Sequence, residues 1–325
     1  MNTSIQNAHR GHIAWLFTSV LATALAAPEV ATAQRPRLPD SIEVRLDQPY
    51  AGTDNPRQML DLLLPKQRTS DKPLPVIAYI HGGAWRAGNK SGGLRRVTPF
   101  VESGKFVGVP IGYRLSGEAT WPAQIHDCKA AIRWLRANAD SLRIDANRIG
   151  VMGSSAGGHL VAMLGTSGDV KDLEGKLGSH TSVSSRVACV VDEFGPTNFL
   201  TMNDFPSRID HLAPTSPESL LIGGAITEHK DKVRHASPLT YVSKDDPPFL
   251  IIHGTKDPLV PYNQSVILDA ALKKAGVDVY LQTISEGQHG GFRSRELARR
   301  TRLFFEKHLL SGDVQIPTTP LKVGE

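Results

Sequence analysis

The apolar residues of this 325-residue chain fall into short runs separated by polar, glycine-rich and proline-rich connections. An alternating stretch at 42–46 and a mostly apolar run at 59–64, with turn residues between them, predict an antiparallel hairpin. Short runs that are apolar throughout are typical of strands buried on both faces of a sheet. Such runs lie at 75–80, 106–111, 148–152, 187–191, 249–253 and 277–284.

Apolar positions at helical spacing lie between these runs. Residues 121–139 carry an apolar stripe, and 263–274 and 293–310 have the period of amphipathic helices. Gly276 is expected to end the helix at 263–274. Strands that alternate with helices predict a mostly parallel, doubly wound α/β sheet. We therefore expect one α/β domain over residues 42–311.

Two long segments lack a clear period. Residues 168–185 are polar and glycine-rich, and residues 195–237 carry scattered prolines, aromatics and charges. Long irregular segments in a compact domain tend to be functional loops or small caps, so we expect them near the ligand-binding end of the sheet. The tail at 312–325 is expected to be loose.

The N-terminal region differs in composition from the rest. Arg10 and His12 precede an apolar run at 13–27 that is too short to span a bilayer comfortably. Ala31-Thr32-Ala33 is the small-x-small pattern accepted by a signal peptidase. Residues 1–33 are thus predicted to be a cleaved signal peptide, with an uncleaved anchor as the alternative, and 34–41 a linker. A secreted or periplasmic protein without stable membrane insertion is the expectation.

Composition and charge narrow the function. The chain is 40% hydrophobic and 21% charged, which is ordinary for a globular protein. Its net charge is +5, but the lysines and arginines are dispersed, and no basic block is interleaved with aromatic residues. Nucleic-acid binding is therefore not expected. No H-E-x-x-H or paired Cys/His spacing predicts a metal site. Cys128 and Cys189, in a predicted helix and a predicted strand, are interpreted as buried apolar residues rather than as a disulfide.

The turn after the strand at 148–152 holds the best candidate for chemistry. Gly153-Ser154-Ser155-Ala156-Gly157 matches G-x-S-x-G, the sharp strand-to-helix turn that exposes a nucleophilic serine. Glycines are needed because side chains would clash across the tight backbone. Ser155 is the candidate nucleophile, since a nucleophile at Ser154 would place Met152 where a glycine is required.

A serine needs a base, and the base needs an acid that fixes its tautomer. Asp257 and His289 each follow a predicted strand, which places Ser, Asp and His in the chain order of α/β-hydrolases. Asp192 and Glu193, at another strand end, are the alternatives for the acid. His159 is expected to be a packed residue rather than the base.

A loop of glycines follows the strand at 75–80. His81-Gly82-Gly83-Ala84-Trp85 matches the H-G-G loop of esterases, whose main-chain amides meet the oxyanion formed during acyl transfer. The amides of Gly82 and Gly83, with that of Ala156, are the predicted oxyanion hole, and which of Gly82, Gly83 and Ala84 points inward stays open. The predicted substrate pocket is formed by His81, Ala84, Trp85 and Ser154.

Together, these motifs resemble those of the α/β-hydrolase esterases of the hormone-sensitive-lipase and bacterial feruloyl-esterase-like group. The resemblance rests on His81 to Trp85, Tyr113-Arg114-Leu115, Gly153 to Gly158, His253 to Asp257 and His289-Gly290. It implies an α/β-hydrolase fold and hydrolysis of carboxylic esters without a cofactor. Ala84 replaces a glycine or serine found in many relatives, and the missing N-terminal helical cap favours the feruloyl-esterase-like branch.

The expected substrate is a small-molecule or saccharide ester of a short-chain or aromatic acid. Charged residues interrupt both irregular segments, so neither has the continuous apolar face of a lipase lid. The candidate apolar wall is small and consists of Trp85, Phe194, Phe199 and Phe205. A peptidase or amidase on the same triad and a non-catalytic binding module of the same fold are the alternatives.

Overall fold

The computed structural model describes residues 37–168 and 170–324. The predicted signal peptide and the first part of the predicted linker, residues 34–36, lie outside the described residues.

Nine strands form one sheet in the described ranges. They are β1 Ile42–Pro49, β2 Met59–Pro65, β3 Leu74–Ile80, β4 Val107–Ile111, β5 Ile144–Ser154, β6 Cys189–Glu193, β7 Phe249–Gly254, β8 Val279–Ser285 and β9 Leu321–Lys322. Their spatial order is β1-β2-β4-β3-β5-β6-β7-β8-β9, with β2 antiparallel to both neighbours and every later pair parallel. The predicted hairpin and the predicted doubly wound, mostly parallel sheet are confirmed.

Helices cover both faces of this sheet. The α-helices are α1 Leu94–Glu102, α2 Ala123–Ala137, α3 Ala139–Leu142, α4 Ala156–Thr166, α5 Lys171–Glu174, α6 Pro217–Ile222, α7 Lys230–His235, α8 Asn263–Ala275 and α9 Arg295–Leu310. Helix α1 was not predicted, because Pro99 lies inside it and proline normally interrupts a helix. Its apolar positions Leu94, Val97 and Val101 are nevertheless buried.

The core consists of two apolar clusters, one on each side of the sheet. One contains the buried faces of α2, α4 and α8, and the other those of α1 and α9. Cys128 belongs to the first cluster and Cys189 to the second, and both are free thiols. The interpretation of the cysteines as buried apolar residues is confirmed.

The C-terminal tail is ordered against the sheet, contrary to the expectation that it is loose. Strand β9 pairs with β8 through Leu321 and Lys322. The side chain of Arg300 on α9 donates to the carbonyl of Thr319 at 2.7 Å, and Ile316 is buried. The tail therefore extends the sheet at its edge, which its low local periodicity did not indicate.

The first irregular segment packs on α2. Glu174 of the short helix α5 receives Lys129 Nζ at 2.6 Å and Arg133 Nη1 at 3.2 Å, both from α2. Ser185 also donates to this carboxylate at 2.8 Å. Charged residues in this segment thus contribute to tertiary packing instead of forming a solvated loop.

Candidate active site

Ser155 lies at the turn between β5 and α4 with φ 56° and ψ −121°. A positive φ is costly for a residue with a side chain and persists only where the surroundings enforce it. Here the amide of Ser155 donates to the carbonyl of Glu193 at 2.9 Å, and its carbonyl accepts from the amide of His159 at 3.0 Å. Strand β6 and helix α4 together hold the serine at the apex of the turn.

The glycines on either side of Ser155 are required by close backbone contacts. A Cβ at Gly153 would lie 2.4 Å from the carbonyl oxygen of Gly157. A Cβ at Gly157 would lie 2.1 Å from the carbonyl oxygen of Ile80 on β3. Both distances are far below van der Waals contact, so the turn can approach β3 only with glycine at these positions.

Three loops bring Ser155, His289 and Asp257 into one hydrogen-bonded chain. Ser155 Oγ lies 3.0 Å from His289 Nε2, and His289 Nδ1 lies 2.7 Å from Asp257 Oδ2. Asp257 follows β7 and His289 follows β8. Because parallel strands present their carboxyl ends at one edge of the sheet, residues far apart in sequence meet here. The geometry allows His289 to take the Ser155 proton while Asp257 holds the opposite ring nitrogen.

The carboxylate of Asp257 is bonded on both oxygens. Oδ1 accepts the amides of Leu259 at 2.8 Å and Val260 at 3.0 Å, and Oδ2 is shared by His289 and His253. Burial by itself would raise the pKa of Asp257, but the hydrogen bonds from His253 and His289 outweigh it and hold that pKa well below its usual range. Asp257 is therefore ionised at neutral pH.

His253 is a member of this network that lies in a family motif but had no predicted role. Its Nε2 lies 3.1 Å from Asp257 Oδ2 and 3.0 Å from the carbonyl of Val260. A carbonyl only accepts, so Nε2 carries a proton, and Nδ1 accepts from the hydroxyl of Ser265 at 2.7 Å. The ring is fully buried. Its position as the penultimate residue of β7, four residues before Asp257, was the available signal.

Asp192, the alternative acid, has a different environment. It is buried beside the serine turn, and its Oδ1 accepts the amide of Gly195 at 2.9 Å. Its Oδ2 has no hydrogen-bond partner within residues 37–168 and 170–324. Burial, with a smaller contribution from the charge of Glu193, raises the pKa of Asp192 to about 7. The carboxyl group that contacts His289 is that of Asp257, not that of Asp192.

Asp192→Asn should make stability less dependent on pH. Because the folded pKa lies above the usual value near 4, Asp192 destabilises the folded state least below pH 4. This destabilisation grows as the pH rises from about 4 to about 7. Asparagine does not ionise, so the variant lacks this cost. The free energy of unfolding of the variant minus that of the wild type should therefore be about 2–3 kcal/mol larger at pH 8.5 than at pH 5.

Denaturant unfolding at the two pH values measures this change. Comparing the two values removes the cost of burying an amide, which does not vary with pH. A difference between variant and wild type that is the same at pH 5 and pH 8.5 would contradict the expectation.

The glycine loop after β3 faces the serine. Gly82, Gly83 and Ala84 all line the cavity above Ser155, and Gly83 and Ala84 have φ values of 114° and 54°. Ala156 is the first residue of α4, where helix amides have no partner within the helix. Amides in this arrangement can bind a developing oxyanion.

Trp85 and His81 do not line the cavity, contrary to prediction. Trp85 is 2% exposed, and its indole N–H donates to His159 Nδ1 at 3.2 Å. The ring of His81 stacks on Tyr113 at 4.3 Å between centroids, and its Nδ1 donates to the carbonyl of Gly82 at 2.7 Å. Burial lowers the pKa of His81 to about 4. Both side chains support the glycine loop from behind, because the loop turns them toward the core.

His159 is buried, as expected, and connects two segments. Its Nδ1 accepts from Trp85, and its Nε2 donates to the carbonyl of Ala236 at 2.6 Å. Burial lowers the pKa of His159 to about 4, so the ring is neutral. It therefore ties the glycine loop to the second irregular segment.

The cavity above Ser155 has a volume of about 540 Å³. It is lined by Gly82, Gly83, Ala84, Arg96, Ser154, Ser155, Glu193, Phe194, Leu259, His289, Gly290, Gly291, Phe292 and Leu297. The predicted pocket residues Ala84 and Ser154 are among them, as is Phe194. Phe199 instead packs on Trp85 and His159, and Phe205 is exposed at a separate cavity. No described residue of 168–185 or 195–237 lines this cavity. The second segment nevertheless lies at the carboxyl end of the sheet, as expected, because the amide of Arg208 donates to the carbonyl of Pro258 at 2.7 Å, next to Asp257.

An ion pair in the cavity wall also escaped prediction. Arg96 of α1 pairs with Glu193 of β6, and its guanidinium lies 5.6 Å above the ring of Tyr79. The hydroxyl of Tyr79 in turn lies 3.0 Å from Ser154 Oγ. The charge of Glu193 raises the pKa of Arg96. Arg96 was missed because it lies on the unpredicted helix.

Two further properties concern the described residues. Within residues 37–168 and 170–324, no helix combines the length and apolar character needed to cross a membrane. The same part of the chain contains no cluster of three or more His, Cys, Asp or Glu side chains arranged to hold a metal ion.

Several known proteins are similar to this chain in sequence and in fold. Esterase LipC of Mycobacterium tuberculosis is 35% identical over 217 residues, which cover 65% of this chain and 51% of LipC. A solved structure titled as a truncated carbohydrate esterase from gut microbiota is 35% identical with a TM-score of 0.76, covering 83% of this chain and 98% of the other. A bifunctional GH43-CE protein of Bacteroides eggerthii is 34% identical with the same TM-score, covering 84% of this chain and 36% of the other.

These comparisons support the resemblance drawn from the motifs. The chain spans about half the length of the curated relatives it matches. Residues 60–272, which include Ser155 and Asp257, match the sequence model of the family BD-FAE. The chain therefore belongs to the BD-FAE family and has the α/β-hydrolase fold of the esterases to which it is similar.

Proposed function

We propose that this protein is a serine esterase in which Ser155, His289 and Asp257 form the catalytic triad. The observation that carries the proposal is the continuous hydrogen-bonded chain from Ser155 Oγ through His289 to Asp257, at the floor of a cavity faced by the glycine loop. Relatives and structural neighbours named as esterases support it.

In this mechanism Ser155 Oγ attacks the ester carbonyl while His289 Nε2 accepts its proton. His289 then gives the proton to the leaving alcohol, and an acyl group remains on Ser155. Water attacks the acyl group with His289 again as the base, which regenerates the free serine. Asp257 stays ionised, holds the Nδ1–H of His289 and stabilises the charged ring that forms.

The amides of Gly82, Gly83 and Ala156 are proposed as the oxyanion hole. Gly82 and Gly83 line the cavity, and Ala156 presents its amide at the start of α4. Donors fixed before the reaction stabilise the tetrahedral intermediate without reorganisation, which makes such groups effective. Trp85 and His81 act as supports that keep this loop in position.

A short-chain or aromatic ester carried on a saccharide or small alcohol is the proposed substrate. The wall combines apolar side chains, Phe194 and Phe292, with the charged Arg96–Glu193 pair. Charged side chains with several hydrogen-bond donors and acceptors can bind sugar hydroxyls. Two similar solved structures are named as a carbohydrate esterase and as a bifunctional GH43-CE protein, which supports a saccharide ester. The predicted signal at 1–33 supports a secreted or periplasmic location.

Labelling with a fluorophosphonate, followed by peptide mapping, tests the nucleophile. The label is expected on Ser155, because its hydroxyl contacts His289 Nε2. Ser154→Ala should still be labelled. Matched ester and amide substrates of one acyl group then test the reaction, and faster hydrolysis of the amide would replace the esterase assignment with an amidase.

The rate of hydrolysis should fall with acyl chain length. A cavity of about 540 Å³ accommodates a small acyl group together with part of the alcohol, and no described residue of the two irregular segments lines it. On p-nitrophenyl esters, kcat/KM is expected to be highest for acetate or butyrate. A maximum at ten or more carbons, or a rise in rate above the solubility limit, would contradict this expectation.

A further inference from the structure

A second cavity adjoins the one above Ser155. It has a volume of about 270 Å³ and lies between helices α1 and α9. The two cavities share four wall residues, Arg96, Glu193, Phe292 and Leu297. A group bound in this second cavity, the α1–α9 cleft, would therefore be next to the ester that Ser155 attacks.

The interior of the cleft is largely apolar. Met152, Phe100, Pro99 and Ala298 line it, and Met152 is buried beneath it on β5. Arg95 on α1 and Arg302 on α9 complete the lining from the two helices and are exposed. An apolar interior with guanidinium groups suits a ligand that carries both carbon surface and negative charge.

The positive charge of the cleft is compensated only in part by nearby carboxylates. Arg96 is paired with Glu193. Neither Arg95 nor Arg302 forms an ion pair or a side-chain hydrogen bond with a residue of 37–168 or 170–324. Glu296, the acidic residue in the first turn of α9, is held by Arg299 at 2.7 Å and by Arg300 at 2.9 Å.

We propose that the α1–α9 cleft binds a carboxylate carried by the ester substrate, held by Arg95 and Arg302. The inference rests on the proposed esterase function and specifies its substrate class as acidic esters. Guanidinium groups bind carboxylates through paired N–H donors, and the apolar walls exclude water from part of the contact. The carboxylate belongs either to the acyl group or to an acidic sugar in the alcohol portion.

Pairs of esters in which a carboxylate is replaced by a neutral carboxamide of similar size test this proposal. For the acyl side the pair is the p-nitrophenyl monoester of glutaric acid and the p-nitrophenyl ester of its monoamide. For the alcohol side it is O-acetyl galacturonic acid and its carboxamide. We expect kcat/KM to be about tenfold higher for the charged member of one pair at low ionic strength, and the preference to shrink with added salt.

The double variant R95Q/R302Q should lose this preference, read as the ratio of kcat/KM for the charged and neutral esters. Arg299→Gln is the matched control, because Arg299 lies on the same helix, is bound to Glu296 and does not line the cleft. The control should retain the ratio. Equal rates within both pairs for the wild type, or an unchanged ratio in R95Q/R302Q, would overturn the proposal.

Measuring ester binding to a protein that cannot turn the ester over tests this inference independently of the proposed function. The Ser155→Ala protein should bind the charged ester more tightly than the neutral one, and R95Q/R302Q in that background should remove the difference. If the wild type hydrolyses no ester, the proposed function fails, while this binding measurement still decides the cleft. Competition by inorganic phosphate as strong as that by glutarate would overturn the carboxylate assignment in favour of a general anion site.

Discussion

Ser155→Ala should reduce kcat by about 10⁶ while the fold remains intact, since removing the nucleophile of a serine triad has an effect of that order. The residue lies at the strained turn with its hydroxyl 3.0 Å from His289 Nε2. The loss of one hydroxyl leaves the surrounding backbone contacts unchanged, so the circular dichroism spectrum and the melting temperature should stay close to wild type. Steady-state hydrolysis of p-nitrophenyl acetate measures the change in kcat.

Ser154→Ala is the matched control for this variant. Ser154 is the neighbouring hydroxyl and also lines the cavity, but it lies 3.0 Å from the hydroxyl of Tyr79. Its loss should change kcat/KM far less than the loss of Ser155. Equal effects in the two variants would show that the nucleophile has been assigned to the wrong serine.

Asp257→Asn should lower kcat by about 10⁴ with little change in substrate binding. An asparagine amide can donate to His289 Nδ1, which forces the proton to Nε2 and removes the base that faces Ser155. In this protein the effect has a second cause. Oδ2 of Asp257 accepts from both His289 and His253, so an amide nitrogen there would place a donor against the N–H of His253.

The pattern of rates in two asparagine variants tests the acid assignment. Asp257→Asn should be the more damaging substitution for kcat, and Asp192→Asn should act mainly on stability. Asp192 is buried with one oxygen bonded to Gly195, and it has no contact with the triad histidine that would couple it to proton transfer. A greater loss of kcat in Asp192→Asn would contradict the role given to Asp257.

Local patterns in the sequence were sufficient to predict most of the sheet. Strands buried on both faces must be apolar along their length, and β3 is buried at every residue from Leu74 to Ile80. The glycine requirement at Gly153 and Gly157 is also local in origin, because a tight turn excludes side chains wherever it occurs. The order of Ser, Asp and His after successive strands then predicted which side chains could meet.

Features that depend on packing were not predictable in the same way. Helix α1 contains Pro99 and has weak local support, yet its apolar face is buried against the sheet, which compensates for the interrupted hydrogen bonding. Residues that follow 311 lack periodicity because a single short strand at a sheet edge receives its hydrogen bonds from another part of the chain, here β8.

The sequence by itself determined the order of the elements and the identity of the three residues that the loops bring together. Tertiary structure decided which side chains reach the cavity. Trp85 of the glycine loop turns into the core, whereas Arg96 of α1 contributes to the cavity wall. It also placed His253 on Asp257 and put the α1–α9 cleft beside Ser155. Residue type and spacing specify local backbone geometry, but the direction of a side chain in a loop depends on the surfaces packed against it.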